Sequence, residues 1–69
     1  MIGTELRRAR EAAGLTQQEL AEAARLHRTY VSLLERDKKS PTIDVLFRLC
    51  RAIGIPPSKF VARLERSAR

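Results

Sequence analysis

The sequence predicts an all-α domain of five helices. Apolar residues recur with helical spacing in five segments, and none of these segments alternates apolar and polar residues as a half-buried strand would. Glycine, proline and short polar stretches separate the segments. At 69 residues the chain allows one domain, residues 1–69, and only three of its side chains are aromatic. We therefore expect a compact fold with a small aliphatic core between the helices.

The first two helices are marked by their ends. The first is predicted over residues 2–13, with Gly14 placed to end it. Its apolar face also carries Arg10, which is costly to bury unless another side chain pairs with it. The second helix begins where Thr16 and Glu19 have capping-box spacing, so that each satisfies a free backbone donor of the other.

The third helix is predicted over residues 28–35, after a connection of three residues. Glu35 lies at the edge of its core-facing side and is the expected partner of Arg10. We therefore expect a partly buried ion pair between Arg10 and Glu35. Such a pair adds little net stability, but removing one member leaves a buried charge.

The fourth helix carries the widest apolar face. Thr42 is its expected N-cap, and Gly54 is placed to end it. The apolar face comprises Ile43, Leu46, Phe47, Leu49, Cys50 and Ile53. Because Cys50 lies in the middle of this stripe, we interpret it as a small core residue without a redox role.

The fifth helix is predicted over about residues 57–66, opened by Pro56 and Pro57. Its apolar stripe comprises Phe60, Val61 and Leu64. Two interpretations of this stripe stay open, since it either closes the core or forms part of the interface of a two-fold dimer. The basic tail, with Arg63, Arg66 and Arg69, is expected to fray.

Composition excludes several classes of protein. A single cysteine and a single histidine exclude a disulfide framework and a Cys/His metal cluster, and no metal, cofactor or small-molecule ligand is expected. No nucleophile–base arrangement or phosphate loop is present, so the chain is not expected to be an enzyme. The absence of a long apolar run predicts no membrane contact and a cytoplasmic location.

The charge balance favours a polyanionic partner. Fourteen Lys or Arg residues against eight Asp or Glu residues give a formal net charge of +6 and a sequence pI near 10.8. On so small a domain, this charge indicates nucleic acid before an anionic membrane.

The second and third helices have the plan of a helix-turn-helix. They are short, closely linked, and the later one presents an outward polar face, as a helix that enters the major groove must. This face carries Arg28, Thr29, Ser32 and Arg36, and also the apolar Leu33. His27 precedes the helix and is expected to act as its cap.

The chain as a whole resembles a known family. The segments LRRAREAAGLTQQELA, TYVSLLER and SPTIDVLFRLCRAIGI are similar to the Xre-type helix-turn-helix domain of lambdoid phage repressors, over residues 2 to about 60. RTYVS followed by ER and SPT most resembles the controller proteins of restriction–modification systems. The resemblance implies a lambda-repressor-like fold with its helix-turn-helix at about residues 17–36. It also implies a regulator of transcription, such as a repressor, that binds double-stranded DNA.

The resemblance assigns roles to individual residues. It places Arg28 and Thr29 at base-reading positions, and Leu33 either contacts a thymine methyl or leans toward the core rim. The residues expected to contact the DNA backbone are Gln17, Gln18, Tyr30, Ser32, Arg36, Lys38, Lys39 and Ser40. Of the four basic residues Arg36, Lys38, Lys39 and Arg48, two or more are expected to neutralise phosphates.

Two positions depart from the family pattern. Arg25 and Asp37 each stand where the family usually has glycine. A positive φ at Arg25 would cost about 1 kcal/mol relative to glycine. The alternative is a slightly different turn, and the sequence does not choose between the two. Asp37 adds a negative charge beside the loop that faces phosphates, so looser DNA contact is expected there.

A single module of this size contacts too little DNA for high specificity, so a homodimer on a roughly palindromic operator is expected. The dimer interface is expected to include Phe60, Val61 and Leu64, with the adjacent end of the fourth helix. A second hypothesis is an antitoxin or another protein-interaction module whose DNA binding is secondary.

Overall fold

The computed structural model describes residues 2–68, and these residues form five α-helices with no strand. The helices are α1 (Ile2–Ala12), α2 (Gln17–Ala24), α3 (Arg28–Glu35), α4 (Ile43–Ile53) and α5 (Pro57–Ser67). The predicted all-α, five-helix fold is confirmed. Arg69, expected in a frayed tail, lies outside the described residues.

The helices pack in a closed series around one core. Helix α3 packs on α2, α2 on α4, α4 on α5, α5 on α1, and α1 on α3. Each helix contributes at least one buried side chain, including Leu6, Leu20, Leu34, Leu49 and Phe60. None of the helices in residues 2–68 has the length and apolar content that a bilayer-spanning segment requires.

The capping residues that the sequence predicts for α2 and α4 adopt the expected contacts and geometry. The Thr16 Oγ1 atom accepts from the Glu19 N–H at 3.0 Å, and a Glu19 carboxylate oxygen accepts from the Thr16 N–H at 2.9 Å. Thr42 Oγ1 accepts from the Val45 N–H at 3.1 Å and so caps α4. Gly54 ends α4 with φ at 89°. These caps fix where α2 and α4 begin, and the cap at Thr42 thereby ends the connection between α3 and α4.

The apolar face of α4 is narrower than predicted. Leu46, Leu49 and Cys50 are buried, and burial raises the pKa of the Cys50 thiol, which keeps it protonated at neutral pH. Ile43 and Phe47 are instead exposed, at 69% and 49% of their surfaces. They lie four residues apart and therefore on one flank of the helix.

The C-terminal helix also corrects the prediction. Phe60 is completely buried, so its assignment to a dimer interface was wrong: its ring fills the space enclosed by the closed helix series. Val61 is 48% exposed, and Leu64 is half-buried against the core. The expected fraying does not begin at Arg63 or Arg66, since α5 continues to Ser67. The Ser67 hydroxyl donates to the buried Glu5 carboxylate at 2.9 Å, which ties this end to α1.

Helix α1 approaches the end of α3 at Gly3. This glycine is buried, and a Cβ added there would lie only 2.7 Å from the Leu34 carbonyl oxygen. The Gly3 N–H donates to Asp37 Oδ1 at 2.9 Å. Glycine is needed here because two backbones meet with no room for a side chain between them.

Replacing Gly3 by alanine is expected to destabilise the fold by about 1–3 kcal/mol, because backbone atoms of α3 would have to shift. Helix propensity acts in the opposite direction, favouring alanine by about 1 kcal/mol, so the sign of the change is informative. Urea unfolding followed by circular dichroism measures it, with the exposed neighbour Thr4→Ala as control. A Gly3→Ala variant at least as stable as the wild type would contradict the close packing of α1 on α3.

Candidate nucleic-acid interface

Helices α2 and α3 form a compact pair with eight residues each, joined by residues 25–27. The inner sides of the pair, including Leu20, Val31 and Leu34, are fully buried. This anchoring leaves the opposite side of α3 facing outward, and the shortness of the connection holds the two helices at a fixed angle.

The outward side of α3 is most open at its N-terminal end. Arg28 and Thr29 are exposed, whereas Ser32 and Leu33 are half-buried. The Tyr30 ring packs against the core and is also half-buried. Leu33 lies four residues after Thr29 on α3 and therefore on the same side of the helix. It does not belong to the partly buried apolar side chains that pack on the core. The structure therefore presents two polar side chains for direct contact, with a leucine one turn beyond.

The Arg10 side chain joins α1 to the α2–α3 pair, as expected. Its Nε donates to Glu35 Oε2 at 2.6 Å and its Nη2 to Glu35 Oε1 at 3.0 Å, while Nη1 donates to the Leu15 carbonyl at 2.8 Å. The two side chains are only 11% and 3% exposed. The hydrogen bond to Glu35 raises the pKa of Arg10, against the opposing effect of burial. A charge-assisted, bidentate pair of this kind fixes the end of α3 against α1.

The Glu35 carboxylate also binds Gln17, a contact that the sequence did not indicate. Gln17 Nε2 donates to Glu35 Oε1 at 3.1 Å, so this side chain is part of the buried network. One N–H of its amide is used there, and the second is left for an external acceptor. Gln18, the other glutamine expected at the backbone, is exposed and donates to Glu22 at 3.3 Å.

A basic loop follows α3. Lys38, Lys39 and Ser40 are all exposed, and Arg36 is exposed with its Nε 3.4 Å from the Ser32 carbonyl oxygen. Asp37 has φ at 56°, the conformation that the family glycine would adopt. Its carboxylate accepts from Gly3 at the start of α1, where a helix dipole favours negative charge. The Asp37 carboxylate therefore also stabilises the start of α1, and the looser DNA contact expected at this loop stays a prediction.

The sequence singled out three residues around the turn between α2 and α3. His27 occupies the N-cap position of α3, as predicted, but its side chain makes no capping hydrogen bond. Arg48 donates to the carbonyl groups of Ala24 and Arg25, and its expected part in phosphate neutralisation stays a prediction. Arg25 has φ at 58°, so of the two turn geometries that the sequence left open the chain adopts the left-handed one.

Sequence reasoning missed Gly3, Glu5 and the Arg48 contacts. A glycine near the start of a predicted helix, where it weakens the helix, was the one available signal for a close approach. The contacts of Glu5 with Ser67 and of Arg48 with the end of α2 join residues 62 and at least 23 positions apart. No local pattern marks such contacts.

Comparison with known proteins identifies the family. The Helix-turn-helix family model matches residues 6–60. The transcriptional regulator ClgR of Mycobacterium tuberculosis is 36% identical over 76 aligned positions, covering all of this chain and 68% of its own length.

Solved structures agree with this assignment. The clp gene regulator ClgR from C. glutamicum superposes with a TM-score of 0.92 at 34% identity, covering 99% of this chain and 88% of that one. The restriction-modification controller protein C.AhdI from Aeromonas hydrophila gives a TM-score of 0.82 at 34% identity, covering 86% and 89%. These relatives are named as regulators and a controller, not as enzymes. The chain therefore belongs to the Helix-turn-helix family, of the Xre type.

Proposed function

We propose that this chain is a sequence-specific regulator of transcription that binds double-stranded DNA in the cytoplasm, as a homodimer on a roughly palindromic operator. The observation that carries the proposal is the exposure of Arg28 and Thr29 at the start of α3, on a pair of helices anchored from behind. The relatives named as transcriptional regulators support it.

Base recognition is assigned to the outward side of α3. The Arg28 guanidinium can donate two hydrogen bonds to O6 and N7 of a guanine in the major groove. Thr29 is the second base-reading residue, since its hydroxyl both donates and accepts. The exposed part of Leu33 is assigned to the methyl group of a thymine, the one apolar feature of the major-groove edge.

Phosphate contacts surround this surface. Gln18, the second amide N–H of Gln17, and the hydroxyl groups of Tyr30 and Ser32 are assigned to the DNA backbone beside the groove. Other phosphates, beside the C-terminal end of α3, are assigned to the exposed residues Arg36, Lys38, Lys39 and Ser40. Such contacts hold the protein on DNA of any sequence and make binding depend on salt concentration.

The following binding test separates these two sets of contacts. A duplex is first selected from a random-sequence library with the wild-type chain, and a scrambled duplex of the same composition serves for comparison. Arg28→Ala is expected to weaken the binding free energy for the selected duplex by about 1–3 kcal/mol. On the scrambled duplex it is expected to lose little more affinity than the removal of one positive charge causes. Lys39→Ala is expected to weaken both about equally and to lower the salt slope by about one.

Fluorescence titration at two salt concentrations measures both variants. Arg51→Ala, on an exposed position of α4, is the control for the loss of one positive charge. Equal effects of Arg28→Ala and Lys39→Ala on the two duplexes would show that α3 does not read bases and would contradict the proposal.

The homodimer interface is assigned to the exposed apolar side chains of α4 and α5. Ile43, Phe47 and Val61 are the large apolar residues that the described structure leaves exposed, and Leu64 is half-buried near the last of them. Adjacent exposed apolar side chains are typical of an association surface, and Ile43 and Phe47 lie one helical turn apart on α4. Two recognition helices related by a two-fold axis would then meet half-sites about 10 base pairs apart.

Phe47→Glu is expected to give a folded monomer, because the ring is already half in solvent and its removal costs the core little. Analytical ultracentrifugation measures the association state, and Thr4→Glu adds the same charge at an exposed site on α1 as a control. If Phe47→Glu associates as the wild type does, this flank of α4 is not the dimer interface. A wild-type chain that stays monomeric on the selected duplex would contradict the dimer itself.

A further inference from the structure

The turn between α2 and α3 is held by an arginine from a different helix. Arg25 ends α2 with φ at 58° and ψ at 48°, a left-handed conformation that any residue with a Cβ disfavours. The carbonyl groups at this end of α2 have no partner further along the helix. Arg48 supplies one: its Nε donates to the Ala24 oxygen at 3.1 Å and its Nη2 to the Arg25 oxygen at 2.6 Å.

Arg48 is an exposed residue, but its backbone belongs to the core-packed helix α4. It lies in the middle of α4, beside Leu49 and Cys50, which are almost completely buried. The guanidinium is a planar group with donors in a fixed fork, so two hydrogen bonds set the relative positions of two successive carbonyl groups. Its positive charge also lies at the C-terminal end of α2, where the helix dipole favours a cation.

Arg48 therefore binds the turn whose backbone conformation sets the orientation of α3. Only Leu26 and His27 separate Arg25 from Arg28, the first residue of α3. A rotation at Arg25 would swing Arg28 and Thr29 away from the positions proposed for base contact. We propose that Arg48 is a positioning residue for base recognition, which holds the non-glycine turn at Arg25 and thereby the angle between α2 and α3.

This inference rests on the proposed function. The competing interpretation is that Arg48 is one of several surface cations that attract DNA, since Arg25, Arg48 and Arg51 line the same groove. Arg51 gives the matched control, because it is an exposed arginine three residues further along α4 and lines the same groove.

Binding to the selected and scrambled duplexes tests the inference in five variants. These are Arg48→Met, Arg48→Lys, Arg51→Met, Arg25→Gly, and Arg25→Gly combined with Arg48→Met. Methionine keeps much of the side-chain volume and removes every donor. Lysine keeps the charge and loses the fork. Glycine removes the strain at position 25, so the turn no longer depends on Arg48.

Arg48→Met is expected to bind the selected duplex about tenfold more weakly, which is about 1.4 kcal/mol, and to lose no more affinity for the scrambled duplex than Arg51→Met. Arg48→Lys is expected to lose the same preference for the selected over the scrambled duplex, although its charge is unchanged. In the Arg25→Gly background, Arg48→Met is expected to cost at most about twofold, a non-additive result that couples the two positions.

Three results would overturn the inference. The first is equal losses for Arg48→Met and Arg51→Met on both duplexes, which would make Arg48 a steering charge. The second is wild-type discrimination in Arg48→Lys, and the third is an undiminished loss in the Arg25→Gly background. If circular dichroism shows that Arg48→Met alone is largely unfolded, the second and third results still test the inference. They use Arg48→Lys and the comparison of Arg25→Gly with and without Arg48→Met. If selection enriches no sequence, the proposed function itself fails and this inference fails with it.

Discussion

Replacing Glu35 by alanine is expected to lower the free energy of unfolding by about 3–5 kcal/mol. The Arg10 guanidinium would remain largely buried without the carboxylate that accepts two of its hydrogen bonds. Gln17 would lose its acceptor at the same time. Small domains have total stabilities of about 5–15 kcal/mol, so the variant would be partly or largely unfolded near physiological temperature. Urea and thermal unfolding, followed by circular dichroism, measure the change.

Two controls separate the buried pair from charge loss in general. Glu11→Ala breaks the exposed Arg7–Glu11 pair and is expected to change stability by less than about 1 kcal/mol. Removing both buried charges, in Arg10→Met with Glu35→Leu, is expected to recover much of the stability lost in Glu35→Ala, because no charge is left unpaired. If Glu35→Ala and Glu11→Ala have similar effects, the Arg10–Glu35 pair does not have the structural role described for it.

Phe60→Ala is the second change with a large expected effect, about 3–5 kcal/mol of unfolding free energy. The ring is completely enclosed, and the cavity left behind would lie where α5 joins the helix series. The loss is expected to be the same at low and high protein concentration, because it comes from within one chain. Chemical unfolding over a hundredfold range of concentration measures it.

Val61→Ala, at the adjacent residue, is the matched control. This side chain is 48% exposed, so its truncation is expected to cost the isolated chain less than about 1 kcal/mol. Any larger effect should appear only at concentrations where the dimer forms. A Phe60→Ala variant that keeps its stability but no longer dimerises would return Phe60 to the interface and contradict the described core.

Signals confined to one helix predicted the structure well. The Thr16–Glu19 capping box, the Thr42 cap and the glycine that ends α4 depend on residues within three or four positions, so the sequence shows them directly. The Arg10–Glu35 pair was also predictable, because a charge on an apolar face requires a partner and only a few faces can supply it.

Predictions failed where a second element decides the outcome. An amphipathic stripe shows which side of a helix is apolar but not how much of it a neighbour covers. Phe47 and Phe60 are both aromatic residues of predicted apolar faces, yet one is half exposed and the other is enclosed. The contacts of Gly3 and Arg48 depend on backbone carbonyl groups, whose positions follow from packing and not from the local sequence.

In the candidate site, too, some features are predictable from the local sequence and others depend on packing. The exposure of Arg28 and Thr29 follows from helical period alone, since the opposite side of α3 holds Val31 and Leu34. The participation of Gln17 in the Glu35 network required knowledge of how α2 lies against α3. The sequence thus indicates which residues face outward, whereas packing sets the direction in which they point.

The most direct test of sequence-specific DNA binding is the affinity of the wild-type chain for two duplexes, the DNA upstream of its own gene and a scrambled duplex of equal length and composition. Fluorescence titration at low and at physiological salt gives both affinities and their salt slopes. We expect the upstream duplex to bind at least about a thousandfold more tightly at physiological salt, with a sigmoidal titration from dimer formation. Equal affinity for the two duplexes at physiological salt would contradict the proposed function.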